Sequence, residues 1–174
     1  IVMFSSDNGP HQEGRHKMEF FDSNGPLRGM KRDLYEGGIR VPFIARWPGS
    51  VPAKKINHHI SGFQDMFPTL LELAQIELEH EVDGISMVPT LLGKKGQRKH
   101  DYLYWEFGER GGATAVLKGD WKGVRRNTRK NPGSPIELYD LKNDLAETTN
   151  LAENQKALVA EFNAILKREH VSQE

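Results

Sequence analysis

Residues 1–10 read IVMFSSDNGP and residues 24–42 read NGPLRGMKRDLYEGGIRVP, and these two stretches decide the fold. Ile1–Phe4 is an unbroken apolar run, which predicts a strand buried on both faces. Small polar residues, then Gly and Pro, end that strand and turn the chain. In an open α/β sheet, ligands gather beyond the carboxyl ends of strands, and Asp7 and Asn8 stand at such an end.

Two interpretations of Asp7 and Asn8 follow from their chemistry. A carboxylate and an amide side by side offer hard oxygen ligands, which suit Ca²⁺ or Mg²⁺. The same residues also favour an Asx-turn that binds nothing. The residues themselves leave both interpretations open.

The second stretch places glycines among charged residues. Gly29 and the pair Gly37–Gly38 flank Lys31 and Glu36. Such glycines indicate backbone packed close to a polar or anionic group, and a lysine there is a compact charge for a tetrahedral anion. The alternative is a surface hairpin with solvated charges.

The chain resembles the C-terminal part of a type I sulfatase, an arylsulfatase-like member of the alkaline phosphatase superfamily. The resemblance runs from Ile1 to about Leu166 and rests on five pieces in order: SDNG, PLRGMK, YEGGIRVPFIARWPG, DMFPTLL and ELYDLKNDLAETTNLA.

This resemblance implies hydrolysis of the sulfate ester of a small molecule or carbohydrate, with a formylglycine and a bound Ca²⁺. By motif, Asp7 and Asn8 are the expected metal ligands, forming half of a calcium site. Lys31 is the expected catalytic residue, in contact with the sulfate, and Glu36 and Arg40 are expected to pair with each other.

The loop after the first strand holds further candidate residues. Residues 9–24 are expected to be irregular, and a loop of this length inside a compact domain is often functional. His11 and His16 are candidates for substrate binding, for example to sugar hydroxyls, with a plain solvated loop as the alternative. Metal binding by these histidines is disfavoured, because imidazole is softer than a Ca²⁺ site prefers. Arg28, in the glycine-flanked turn before Lys31, is a third candidate for substrate binding.

The nucleophile that the resemblance requires is not in this sequence. In the family, the motif Cys/Ser-x-Pro/Ala-x-Arg lies upstream of the SDNG strand. Residues 50–54, SVPAK, nearly match it but follow that strand and end in Lys, so they are interpreted as a turn. The formylglycine and the remaining metal ligands are therefore expected in a missing N-terminal portion of the same protein, and this chain alone is expected to be inactive.

The predicted fold is α/β: the C-terminal part of a sulfatase-type α/β sandwich, then a small antiparallel sheet. The expected division is residues 1–95 for the α/β part, which carries the metal and sulfate half-site, and residues 96–174 for the sheet. Periodicity predicts a second core strand at 39–47, a helix at 65–76 with Asp65 as its N-cap, four strands at 102–107, 113–119, 121–126 and 136–141, and a final helix at about 154–169 that packs on the sheet.

Composition narrows the function classes. Lys+Arg and Asp+Glu are both 24, so a general nucleic-acid binder, which shows a basic excess, is disfavoured. With no Cys there is no disulfide and no thiolate zinc site, and no apolar run approaches the ~20 residues of a membrane span. A phosphate or phosphonate ester hydrolase of the same superfamily and a non-catalytic carbohydrate-binding module remain as alternatives to a sulfatase.

Overall fold

The computed structural model describes residues 1–171, which form a mixed α/β structure. The strands are β1 Val2–Ser5, β2 Phe43–Arg46, β3 Leu103–Phe107, β4 Ala113–Lys118, β5 Trp121–Arg126 and β6 Ile136–Asp140. The α-helices are α1 Met18–Phe21, α2 Glu36–Ile39, α3 Met66–Leu73, α4 Val88–Leu91 and α5 Lys156–Glu169, and 3₁₀ turns occur at Glu13–Arg15 and Phe63–Asp65. Among residues 1–171, no helix is both long and apolar enough to span a bilayer.

The chain packs as two units that alternate along the sequence. The first contains Ile1–Ser5 and Phe43–Asp101, and the second contains Ser6–Pro42 and the chain from Tyr102 onward. The residues expected to form the site therefore group with the sheet of the second unit. The division at residue 95 stays a prediction.

In the first unit, β1 pairs only with β2 among the described residues. The two strands are antiparallel, with Met3 opposite Ala45 and Phe4 opposite Ile44. Val2 is 64% exposed and Phe4 61% exposed, so the prediction of a strand buried on both faces is wrong for the chain described. The physical reason is that, among residues 1–171, no second layer covers the exposed side chains of this two-stranded ladder. The second strand also begins later than expected, because Ile39 closes the helical turn α2.

Helix α3 is shorter than the predicted 65–76. Gln75 adopts φ +59°, and its N–H donates to Glu72 O while the N–H of Ile76 donates to Leu71 O. This pair of bonds is a Schellman ending, which usually carries glycine at the left-handed position. Two apolar side chains of α3, Phe67 and Leu70, are exposed.

Asp65 is buried, but it does not cap α3 with its side chain, contrary to the prediction. Its Oδ2 accepts the N–H of Gly62 at 2.8 Å, and its Oδ1 accepts the N–H of Ile85 at 2.7 Å and lies 2.7 Å from His100 Nε2. The carboxylate thus satisfies donors from three separate segments. It fixes the start of α3 through tertiary contacts that sequence spacing does not show.

The second unit contains a four-stranded antiparallel sheet in the order β3-β4-β5-β6, as predicted. Helix α5 packs on one face, and Phe162 and Leu166 lie in a core cluster with Val116 and Leu138. Gly123 on β5 makes this approach possible, because a Cβ there would lie 2.6 Å from a Phe162 ring carbon. The final helix and its docking on the sheet are confirmed.

The segment 28–39 covers the other face of the same sheet, which the sequence analysis did not predict. Leu34 and Tyr35 join Ala115, Val124 and Tyr139 in a second core cluster. Adjacent positions on β4, Ala115 and Val116, therefore serve different clusters, as the alternation of a strand requires. The loop 9–24 is less irregular than expected, because it contains a 3₁₀ turn and α1.

Candidate functional site

A buried charge cluster holds the segment 28–40 against the sheet. Lys122 on β5 is 0% exposed, and its Nζ lies 2.8 Å from Glu36 Oε1 and 3.2 Å from Glu147 Oε1. The other carboxylate oxygen of Glu147 accepts the backbone N–H of Glu36 at 2.7 Å. Arg40 Nη1 lies 3.0 Å from Glu36 Oε2, which confirms the expected pairing of Glu36 with Arg40. Two cations therefore balance two carboxylates in this cluster.

Burial and charge act in opposite directions on Glu147. Burial raises the pKa of its carboxyl, and the nearby ammonium of Lys122 opposes that increase. Burying a carboxylate is costly unless a counter-charge and hydrogen bonds accompany it, and here Lys122 and the N–H of Glu36 supply both. The cluster is thus an anchor for α2 rather than an exposed ionic surface.

Three backbone stretches meet beside this anchor with no room for side chains. The N–H of Gly9 donates to Gly38 O at 2.8 Å, and a Cβ on Gly9 would lie 1.8 Å from Gly37 O. A Cβ on Gly37 would lie 2.4 Å from Gly29 O. These glycines let the loop after β1 lie directly against the turn that carries Lys31.

Asp7 and Asn8 precede this contact. Asp7 is exposed and Asn8 is half-buried, with its Nδ2 donating to Gly9 O at 3.1 Å, so the amide oxygen is the atom that remains to bind a metal. Residues 1–171 contain no group of three or more His, Cys, Asp or Glu side chains that could hold a metal ion. The carboxylate and amide oxygens fit calcium chemistry, but they are two of the six to eight ligands that Ca²⁺ takes.

Lys31 lies at a polar cavity of about 200 Å³. Its backbone N–H donates to Pro10 O at 2.8 Å, which ties the lysine to the loop after β1. Its Nζ lies 3.4 Å from Glu13 Oε2. The cavity is lined by His11, Gln12, Glu13, Met30, Lys31, Arg32 and Arg110.

The other expected substrate residues occupy different surroundings. His11 shares the cavity with Lys31, whereas His16 stacks on Phe21 with ring centroids 5.1 Å apart. Arg28 lies with its guanidinium 3.9 Å from the centre of the Tyr35 ring. Its Nη1 donates to the hydroxyl of Tyr139 at 2.8 Å and to the carbonyl of Glu147 at 3.0 Å. The structure therefore brings Lys31 and His11 together and places Arg28 among internal partners.

Sequence reasoning missed several residues at this site. A lysine at a buried position of a strand, as at Lys122, is a signal that could have been used, since an inward lysine needs a partner. Glu147 gives no such signal, because it lies 111 residues from the amide it accepts. Glu13, Arg32 and Arg110 look like ordinary surface charges in the sequence.

A family model matches most of this chain. Residues 29–172 match the family described as N-sulphoglucosamine sulphohydrolase, C-terminal. Arylsulfatase A of Homo sapiens is 33% identical over 171 residues, covering 87% of this chain and 33% of its own length. Steryl-sulfatase of Rattus norvegicus is 39% identical over 109 residues, covering 60% of this chain and 19% of its own.

A solved structure shows the same fold. The crystal structure of Ps i-CgsB in complex with k-i-k-neocarrahexaose matches with a TM-score of 0.79 and 28% identity, over 95% of this chain and 35% of that one. The chain thus spans about a third of the length of this protein and of human arylsulfatase A.

Proposed function

We propose that the whole protein is a sulfuric ester hydrolase. The chain belongs to the N-sulphoglucosamine sulphohydrolase C-terminal family, and the proteins similar to it include arylsulfatase A. One observation carries the proposal: Lys31 lies at a polar cavity and is tied through Pro10 to the loop that holds Asp7 and Asn8. In this proposal the chain contributes part of a sulfate and metal site.

The proposed role of Lys31 is electrostatic. A sulfate ester in hydrolysis holds negative charge on its oxygens, and a fixed cation beside them stabilises the transition state. The hydrogen bond from the backbone N–H of Lys31 to Pro10 O fixes the backbone position from which the lysine side chain extends. His11 lines the same cavity and is the proposed contact for polar groups of the substrate.

The proposed role of Asp7 and Asn8 is to hold a Ca²⁺ ion together with ligands from the rest of the protein. When bound, the ion would neutralise charge on the sulfate oxygens. The nucleophile, a formylglycine by resemblance, belongs to the missing N-terminal portion in this proposal. The substrate proposed is a sulfated carbohydrate, a class supported by the sugar named in the complex of Ps i-CgsB.

The first test replaces Lys31 in the whole protein. We expect Lys31→Ala to lower the hydrolysis of a chromogenic aryl sulfate about 10²–10³-fold, because removing one preorganised donor costs that much in comparable sites. Lys118→Ala is the matched control, since Lys118 is an exposed lysine whose partner is Glu161 on α5. An aryl phosphate and an aryl phosphonate measured in parallel test the alternative esterases. Equal sulfate turnover in wild type and Lys31→Ala would reject the role of Lys31.

The second test concerns the metal and does not depend on activity. Calcium that binds the folded state raises the melting temperature, and chelation reverses the effect. We expect Asp7→Ala to reduce this calcium-dependent increase, because it removes the carboxylate of the pair. Asp120→Ala, at the exposed turn between β4 and β5, is the control and should retain it. A calcium response unchanged in Asp7→Ala would remove Asp7 from the metal site.

A further inference from the structure

Two cations converge on the carboxylate of Glu13. Lys31 Nζ lies 3.4 Å from Oε2, and Arg32 Nη1 forms an ion pair with Oε1. The two basic side chains are each 29% exposed, whereas Glu13 is 50% exposed. Lysine provides a compact charge and guanidinium a directional donor, which together suit a single oxyanion.

The turn that carries these cations is held in an uncommon conformation. Arg32 adopts φ +78°, a left-handed value that is unfavourable for a non-glycine residue and persists only where the surrounding structure imposes it. Asp33 supplies part of that support, since its N–H donates to Met30 O and its Oδ2 accepts the N–H of Met30. Arg32 Nε also lies 3.3 Å from Glu109 Oε2. The turn therefore fixes Lys31 and Arg32 as neighbours that share the carboxylate of Glu13, while Arg32 also pairs with Glu109.

Glu13 belongs to a different and less anchored segment. It lies in a 3₁₀ turn with no buried residue, and its N–H donates to His11 Nδ1 at 2.9 Å. The contacts with Arg32 and Lys31 lower the pKa of its carboxyl, so it is charged at neutral pH. An exposed carboxylate of this kind can leave its partners at small cost, because exposed ion pairs contribute little to stability.

We propose that Lys31 and Arg32 form a two-cation subsite for the sulfate group of the substrate, and that Glu13 occupies this subsite until sulfate displaces it. The inference rests on the proposed function, to which it adds Arg32 as a second sulfate-binding cation and Glu13 as an internal competitor. The cavity beside the pair provides the space in which an external oxyanion replaces the carboxylate.

The chain offers a matched comparison for this arrangement. Lys118 and Glu161 form an exposed ion pair on the sheet and α5, with side chains 44% and 43% exposed. That carboxylate pairs with one cation, and neither residue lines the cavity. If the ion pairs of Glu13 only linked two segments, removing its carboxylate would leave sulfate binding unchanged, as we expect for Glu161.

The test measures the dissociation constant of inorganic sulfate for the whole protein. We expect Glu13→Gln to tighten sulfate binding about two- to fivefold, because it removes a competitor worth no more than an exposed ion pair. We expect Arg32→Gln to weaken binding about tenfold through the loss of a charge-assisted hydrogen bond. In the Glu13→Gln background, Arg32→Gln should weaken binding by at least the same factor, because the loss of Arg32 no longer releases a competitor as well, and Glu161→Gln should change nothing.

Two results would overturn the proposal. One is sulfate binding that is unchanged or weaker in Glu13→Gln. The other is binding in Glu13→Gln that is indifferent to a further Arg32→Gln change. If Arg32→Gln does not fold, judged by circular dichroism, Arg32→Lys replaces it and should give an affinity between wild type and a tenfold loss, because it keeps the charge without the guanidinium fork.

Aryl sulfate hydrolysis measured on the same variants separates the two proposals. The expected sulfate-binding pattern without any hydrolysis would reject the proposed function and keep the anion subsite. If hydrolysis depends on Lys31 but the affinity for sulfate is unchanged by substitution of Glu13 and Arg32, the two-cation subsite is rejected and the proposed function is not.

Discussion

Arg28 is half-buried and contacts residues of the sheet rather than the cavity. Its guanidinium stacks over Tyr35 and donates to the hydroxyl of Tyr139 and the carbonyl of Glu147. These contacts join the turn before Lys31 to β6 and to the loop that follows it. Binding of substrate by Arg28 stays a prediction, and its partners support an anchoring role.

Tyr35 lies at the centre of the same group of contacts. Burial, reinforced by its hydrogen bond to the carboxylate of Glu137, raises the pKa of its phenol to about 12. An unfolded tyrosine ionises near pH 10. Between these values the unfolded state loses its proton first, so the free energy of unfolding falls as the pH rises from about 10 to about 12.

Tyr35→Phe should remove that part of the alkaline destabilisation. We expect the difference in unfolding free energy between wild type and variant to shift by on the order of 2 kcal/mol across this pH range, with wild type losing more. Urea unfolding at several pH values measures the difference, and phenolate absorbance follows the titration itself. Parallel curves for the two proteins would show that Tyr35 ionises normally.

At the scale of elements, α3 depends on a buried hydroxyl. Thr69 is fully buried, its Oγ1 donates to Asp65 O at 2.6 Å, and it accepts the N–H of Met87 at 2.8 Å. Thr69→Val keeps the shape but leaves the Met87 N–H without its acceptor. We expect a loss of about 1–3 kcal/mol in unfolding free energy.

Thr69→Ser is the matched control for this prediction, because it keeps both hydrogen bonds and removes only a methyl group. It should lower the melting temperature less than Thr69→Val does. If Val is tolerated as well as Ser, the hydrogen bonds of Thr69 do not support α3.

Elements with local signals were predictable from the sequence. The strands β3–β6 lie within a residue or two of their expected bounds, because turn residues and short β-prone runs mark them. The end of α3 was missed, because a glycine usually occupies the left-handed position at a helix end and here Gln75 occupies it. The exposure of β1 was missed for a different reason. An apolar run indicates which side chains favour burial, but it does not show whether another layer covers them.

At the scale of the molecule, Lys122 connects the sheet to the site segment. Lys122→Met would leave Glu36 and Glu147 facing each other without their buried cation. We expect a loss of about 3–5 kcal/mol in unfolding free energy, the usual cost of removing one partner from a buried ion pair. Chemical unfolding of the whole protein measures this loss.

Lys118→Met provides the comparison, because Lys118 lies on the neighbouring strand and its ion pair is exposed. It should cost less than about 1 kcal/mol. Adding Glu147→Gln to Lys122→Met should recover part of the stability, since residue 147 is then neutral, whereas Glu36 still pairs with Arg40. Equal losses in the two lysine variants would mean that the buried cluster is not an anchor.

The family was predictable because five short pieces in order carry it, and the match over residues 29–172 confirms the resemblance. The environment of the site was not. Lys122 reaches Glu36 across 86 residues, and Glu147 reaches the same turn across 111. No pattern of local spacing encodes such contacts, because they exist only once the sheet has formed. Likewise, Glu13 and Arg32 become a candidate site only when the loop and the turn lie together.

The glycine contacts determine where this chain can accept a larger residue. Gly9, Gly37 and Gly38 leave no volume for any side chain, since a Cβ on Gly38 would lie 2.1 Å from Asp33 O. Any larger residue at these three positions would therefore clash with backbone atoms. Glu13 and Arg32, a few residues away, carry no such restriction on size. Substitutions at Glu13 and Arg32 can therefore change the lining of the cavity in this chain without disturbing the glycine junction beside it.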